Sequence, residues 1–135
     1  MKIGSVMLAL GTLILGEAAF AQSVTVNVPF SFVIADRTFL AGQYSLSSTH
    51  DKVIVQDAEG KTISMMFSNA VSGRQVGTTG EVVFHCYAYR CFLSEMWGPT
   101  SDIGRQLVSS KAEIEMAKTK TETYFAVMGS PPAKK

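Results

Sequence analysis

The chain has 135 residues, of which 12 are Lys or Arg and 11 are Asp or Glu, and 47% are hydrophobic. A chain this close to neutral lacks the strongly basic surface with which proteins bind nucleic acids or anionic membranes. We therefore expect no nucleic acid among its partners. The length suits one domain with one hydrophobic core.

Residues 1–21 have the composition of an export signal. Lys2 precedes the apolar run Ile3–Leu15, and Ala19-Phe20-Ala21 offers the small-x-small pattern that signal peptidase cleaves. The run is shorter than the ~20 residues of a lasting membrane helix, which argues against an N-terminal anchor. We expect cleavage between Ala21 and Gln22, no stable membrane span in the mature chain, and a periplasmic or extracellular location.

The remaining sequence predicts a single β domain over residues 22–129 and a disordered tail over 130–135. From Val24 to Ile34 apolar residues recur at every second position, the period of a half-buried strand. Pro29 cannot donate a ladder hydrogen bond, so it marks an edge, a bulge or a break between two strands. Further elements are predicted as strands near Gln43–Ser47, Lys52–Gln56, Thr62–Phe67 and Thr123–Met128, a loop at Ser68–Gly80 and a hairpin at Glu81–Trp97.

A short helix is predicted at Lys111–Thr119. Ser110 followed by Glu113 has the capping-box spacing, in which each side chain can satisfy the other residue's backbone N–H. Ala112 and Met116 are expected to face the body of the protein, with Ile114 as a further candidate. Short strands, frequent turns and one late helix predict a mainly β fold: an antiparallel β-sandwich or a partly open β-barrel with one short C-terminal helix.

The two cysteines lie across the bend of the Glu81–Trp97 hairpin. A two-residue loop at Ala88-Tyr89 places Cys86 opposite Cys91, and a four-residue loop keeps them opposite. Cross-strand neighbours of this kind are within reach of a disulfide, which an oxidising compartment favours. We expect a Cys86–Cys91 disulfide. The two-residue register also pairs Phe84 with Leu93, Val82 with Glu95, His85 with Phe92 and Val83 with Ser94.

The sequence contains no recognisable catalytic constellation. It has no Gly-x-Ser-x-Gly elbow, no phosphate-binding glycine loop and no His-Glu-x-x-His helix. Cys86 and Cys91 beside His85 fall short of the four ligands of a structural zinc site, and oxidation competes for the thiols. We therefore expect no catalytic residues, no cofactor and no metal, with His85 as a partly exposed strand residue beside Phe92.

Aromatic residues and an arginine cluster around the hairpin. Tyr87, Tyr89, Arg90 and Trp97 are of the types that binding surfaces favour, so they form a candidate recognition surface. In the alternative interpretation, Trp97 belongs to the core and the tyrosines cap the hairpin.

Three segments together resemble a family of small exported bacterial β proteins to which no function is assigned. They are Val-Pro-Phe-Ser-Phe (28–32), Leu-Ala-Gly-Gln-Tyr (40–44) and the pattern Val-Phe-His-Cys, Cys-Phe-Leu and Trp within 83–97. The resemblance covers about Val24 to Lys118. Leu40 stands where the family pattern has proline. The resemblance implies an exported β domain and transfers no catalytic residue.

The sequence thus indicates an exported, non-enzymatic β-domain for binding or assembly in the envelope or outside the cell, with a protein partner. The alternative is a carrier of a small apolar ligand in a β-barrel pocket, for which Phe30, Phe32, Phe39, Phe84 and the methionines would supply the lining. A hydrolase-type enzyme is a third interpretation, and it would require a histidine beside a carboxylate in a closed cleft.

The exported protein is expected to begin at Gln22, because signal peptidase cleaves after the small residue Ala21. N-terminal sequencing of protein isolated from its host checks this. A sequence that begins at Met1 would contradict it.

Overall fold

The computed structural model describes residues 22–131, so the predicted signal peptide, Ala21 and residues 132–135 lie outside the described residues. The described chain forms ten strands and one helix: β1 (Gln22–Val28), β2 (Phe32–Ile34), β3 (Arg37–Phe39), β4 (Gly42–Thr49), β5 (Lys52–Gln56), β6 (Thr62–Ser72), β7 (Glu81–Tyr87), β8 (Arg90–Trp97), β9 (Ile103–Leu107), α1 (Lys111–Thr119) and β10 (Glu122–Met128).

The strands form one open sheet with the order β10-β7-β8-β9-β6-β5-β4-β1. β7 pairs along β8, while β9 and the short β2–β3 hairpin share the other edge of β8. The mainly β architecture with one short helix is confirmed, and the sheet is not closed into a barrel. The two end strands of the sheet, β1 and β10, come close at one point. There the backbone N–H of Ser130, just after β10, donates to the carbonyl of Thr25 in β1 at 2.7 Å.

The alternating apolar residues of the N-terminal segment form part of the main core, as predicted. The chain breaks at Pro29, so the segment forms β1 and β2 and not one strand. Phe30, between the two strands, packs edge-on against Phe84 with ring centroids 5.1 Å apart. The other buried members of this face are Val24, Val26, Val28, Phe32 and Ile34.

The prediction of a loop from Ser68 to Gly80 was wrong for its first five residues. β6 continues to Ser72, pairing first with β5 and then, from Ser68, with β9. These positions carry small or polar side chains, so they lack the apolar pattern of a buried strand. Their pairing depends on the backbone of β9, which the sequence analysis did not predict. Arg105 of β9 reinforces it by donating to the hydroxyl and the carbonyl of Ser68.

The β7–β8 hairpin has the two-residue loop, and its disulfide joins Cys86 to Cys91 with Cα atoms 3.9 Å apart. Ala88 has a φ of 58°, the positive value that such tight hairpin turns require. The predicted pairs hold from the turn to Phe84 and Leu93. Beyond them Ser94 is an extra residue in β8, so Val82 opposes Met96 and Val83 opposes Glu95. This β-bulge makes the two outermost predicted pairs wrong.

α1 has the predicted limits and packs on the outer face of the hairpin. Ala112 and Met116 contact a small buried cluster of Val33, Tyr87 and Phe92, whereas Ile114 is exposed. The β7–β8 pair is therefore covered on both faces, by the main core inside and by α1 outside. Within residues 22–131, no helix has the length and apolar composition needed to cross a membrane.

Replacing both cysteines, as Cys86→Ser with Cys91→Ser, is expected to lower the free energy of unfolding by about 2 kcal/mol, the chain-entropy value for so short a loop. Urea denaturation measures this, and reduced wild-type protein should match the variant. Thiol titration of denatured, unreduced wild-type protein should find no free thiol. Two reactive thiols would contradict the disulfide.

Candidate functional site

The four residues of the predicted recognition surface do not share one exposed patch. Tyr89, at the hairpin turn, is 85% exposed, and Arg90 beside it is half-buried. Tyr87 and Trp97 are buried. Trp97 packs under Gly104 of β9, where a Cβ atom would lie 2.5 Å from the indole ring. Only Tyr89 and Arg90 can therefore offer contact area at the tip.

A polar cluster lies between the outer face of β7 and helix α1. It comprises His85 and Tyr87 of β7, Glu113 of α1 and Glu122, the first residue of β10. His85 Nδ1 lies 2.8 Å from Glu122 Oε2 and 3.5 Å from Glu113 Oε2. The Tyr87 hydroxyl lies 2.9 Å from the same Glu113 oxygen and 3.1 Å from that of Glu122, and it can donate its one proton to either. Four polar atoms thus converge on one point.

Strand register explains three members of this polar cluster. His85 and Tyr87 are two residues apart on β7, so their side chains share its outer face. Glu122 is directly opposite Tyr87 in the β7–β10 ladder, and Tyr124 is opposite His85. The Tyr124 ring stacks on the imidazole at 4.4 Å between centroids.

Glu113 reaches the cluster because only half of the predicted capping box forms. The Ser110 hydroxyl caps α1 by accepting from the Glu113 N–H at 3.2 Å. The Glu113 carboxylate points to the Tyr87 hydroxyl. Glu113 is 6% exposed and is the only buried charged residue among residues 22–131. Burying a carboxylate is costly unless it is paired and hydrogen-bonded, and Tyr87 and His85 provide those contacts.

The β-bulge at Ser94 sets the orientation of the His85 ring. It brings Ser94 Oγ to 3.2 Å from His85 Nε2, while Nδ1 faces Glu122 and Glu113. Ser94, His85 and Glu122 are thus connected in the order of a serine–histidine–acid triad. Ser94 is 5% exposed. Its hydroxyl is positioned to orient the imidazole.

The cluster carries more negative than positive charge. The Glu113 carboxylate raises the pKa of His85 by hydrogen bonding to the imidazolium, burial acts in the opposite direction, and the charges of Glu122, Glu113 and Glu95 raise it further. Burial raises the pKa of Tyr87 above its usual value, and its two carboxylate neighbours raise it again. Tyr87 therefore remains a neutral hydrogen-bond donor at physiological pH.

Sequence reasoning placed His85 beside Phe92 as a partly exposed residue with no partner, and it did not connect it with Glu113 or Glu122. His85 is half-buried and opposes Phe92, as predicted, but it also contacts both carboxylates. The only signal in the sequence was Glu113 three residues after Ser110, and this has an ordinary explanation as a helix cap. The pairing of β10 with β7 brings in Glu122.

A second feature is the outer edge of β10. This strand pairs with β7 over all seven of its residues, and among residues 22–131 no other strand pairs with it. Phe125 points towards the core, opposite Phe84, and is nevertheless 48% exposed, because no strand covers it from the open side. Tyr124 and Met128 are exposed on the other face.

Comparison with protein-family models finds no match for this chain, and searches of curated proteins and of solved structures return none either.

The NMR-measured pKa of His85 in metal-free buffer is expected to lie above the usual value of about 6.5. A raised folded-state pKa stabilises the protein fully below the unfolded-state value, and this contribution is lost as the pH rises through the folded-state pKa. The stability difference between wild type and His85→Gln should therefore shrink on going from acid to alkaline pH. A pKa at or below about 6.5, or a difference that grows with pH, would contradict this expectation.

Proposed function

We propose that this chain is an exported, non-enzymatic β-domain that functions in assembly, in the cell envelope or outside the cell, through pairing of β10 with β10 of a second copy. The observation that carries the proposal is that β10 is an exposed and largely apolar sheet edge, with which no strand other than β7 pairs among residues 22–131. Beyond the end of β10, the residue Ser130 bonds to β1.

Proteins that remain monomeric usually protect such edges. They place lysine, proline or a bulge in the edge strand, because its unpaired N–H and C=O groups can accept another strand. β10 reads Glu-Thr-Tyr-Phe-Ala-Val-Met and contains neither lysine nor proline. Its register with β7 runs without a shift from Glu122 to Met128, so it has no bulge. Lysine, proline and a bulge are therefore all missing from this strand.

A second copy fits this edge in an antiparallel register centred on Phe125. Phe125 then opposes its own counterpart, and an aromatic pair contributes about 0.5–1.5 kcal/mol beyond the burial of its area. Tyr124 opposes Ala126, and Glu122 opposes Met128, so no like charges meet. A twofold axis closes the assembly at two copies. The net charge of +1 adds little repulsion between copies.

The exported location is supported by the Cys86–Cys91 disulfide, since structural disulfides persist in oxidising compartments. The carrier alternative has less support. Phe32 and Phe84, two of its expected lining residues, pack against each other in the core with ring centroids 5.4 Å apart. An apolar groove of about 400 Å³ instead lies outside, where Met65, Phe67 and Val108 are exposed.

The introduction of a charged residue at the proposed twofold axis tests the assembly. Wild-type protein is expected to form a concentration-dependent dimer in light scattering coupled to size exclusion. Phe125→Lys and Phe125→Glu should each be monomeric, because like charges then oppose each other at the centre of the pair. An equimolar mixture of the two variants should restore the dimer.

The control is Leu40→Lys, which places a lysine at an exposed apolar site away from β10 and should leave the dimer intact. Circular dichroism confirms that the Phe125 variants remain folded, and the restored mixed dimer shows it independently. A wild type that stays monomeric at its highest soluble concentration would refute the proposal, and so would a Phe125→Lys variant that still dimerises.

A further inference from the structure

We propose that His85, Glu113 and Glu122 bind one divalent first-row transition ion, for which Zn²⁺ is the probe, through Nδ1 of the imidazole and one carboxylate oxygen from each glutamate. This inference does not depend on strand pairing at β10, because the outward-facing cluster and the inward-facing Phe125 lie on opposite faces of the sheet.

The spacing of the donor atoms suits such an ion. Ligand atoms of the three residues lie within 4.8 Å of one another, and Nδ1 is 2.8 Å from the Glu122 oxygen and 3.5 Å from the Glu113 oxygen. Zinc bonds of about 2.0–2.2 Å at tetrahedral angles separate neighbouring ligand atoms by roughly 3.3–3.6 Å. The observed separations from Nδ1 lie close to this range.

The charge of the cluster also favours a divalent cation. Two carboxylates and a neutral imidazole carry a charge of −2, and even the imidazolium form leaves −1. In the part of the chain that the structure describes, the ion pairs of Lys and Arg involve Asp51, Glu81 and Glu115, and none reaches Glu113 or Glu122. A divalent ion would neutralise the cluster at the point where its donor atoms converge.

The surroundings of His85 are those of a metal-ligating histidine. Such a histidine usually donates its other ring N–H to a neighbouring acceptor, which fixes the tautomer and the ring orientation. Ser94 Oγ is in position to accept from Nε2–H. The ion would take the place of the proton that Nδ1 directs to the two carboxylates when the imidazole is charged. The Tyr87 hydroxyl can donate its one proton to either ligating oxygen, which helps to fix the position of the carboxylate that accepts it.

The donor set selects the class of ion. Imidazole with carboxylates suits Zn²⁺ and its first-row neighbours, whereas Ca²⁺ requires six to eight oxygen ligands and Mg²⁺ prefers oxygen ligands and water. Three protein ligands leave a position for water, and the Glu122 side chain, one-third exposed, keeps that position open to solvent. The ion would also join α1 and β10 to β7.

Isothermal titration of tag-free mature protein, stripped with EDTA and dialysed, tests the site with Zn²⁺ and with Mg²⁺. We expect one Zn²⁺ per chain, no binding of Mg²⁺ under the same conditions, and a higher melting temperature with Zn²⁺. Glu122→Gln is the most informative ligand variant, because Glu122 is the most exposed of the three residues and its replacement is the least disruptive to folding. It should abolish both the binding and the thermal shift.

Two further variants separate a built site from adventitious binding. Ser94→Ala should weaken Zn²⁺ binding by about tenfold or more, because it removes the group that orients His85. Glu115→Gln changes an exposed carboxylate on the same helix and should bind Zn²⁺ as tightly as wild type.

Two results would overturn the proposal. The first is a folded wild type that binds no Zn²⁺, which would make the cluster a hydrogen-bonded link between α1, β7 and β10. The second is binding that survives Glu122→Gln.

Discussion

The antiparallel pairing of β7 with β8 is central to this fold, because each face and each edge of this pair is covered by a different part of the chain. Its inner side chains, Phe84 and Leu93 among them, lie in the main core. Its outer side chains, Tyr87 and Phe92, lie under α1. β10 pairs with the edge of β7 that faces away from β8. β2 and β9 pair with the edge of β8 that faces away from β7. The Cys86–Cys91 disulfide links the two strands next to their turn.

One extra residue in this hairpin determines much of what surrounds it. The bulge at Ser94 shifts the outer half of β8 by one position relative to β7, so that Glu95 opposes Val83. The Glu95 carboxylate then accepts from the indole N–H of Trp97 at 2.8 Å, which satisfies the one polar atom of a buried tryptophan. The bulge also directs the Ser94 hydroxyl to His85. The bulge at Ser94 thus orients the imidazole of His85 within the polar cluster.

The two proposals concern two different features of β10: its unpaired backbone edge and the carboxylate of its first residue. The free backbone edge of β10 and the half-exposed Phe125 leave apolar surface and hydrogen-bonding groups without a partner strand, and a second copy would provide both. The first residue of β10, Glu122, adds a second carboxylate beside that of Glu113 and creates an excess of negative charge. A divalent cation would balance this charge. Strand pairing covers the edge of β10, whereas the cation would join its outer face to α1.

The sequence by itself determined the local features of this protein: the alternating apolar face of Val24–Ile34, the helix at Lys111–Thr119, and the hairpin with its disulfide. These depend on side-chain period, capping and turn length, which act over a few residues. Tertiary structure decided the rest. β9 and the second half of β6 depend on each other's backbone, and the Ser94 bulge depends on how the hairpin packs on both faces. His85, Glu113 and Glu122 are brought together by strand pairing and helix docking, because contacts between distant residues depend on the packing of the whole chain.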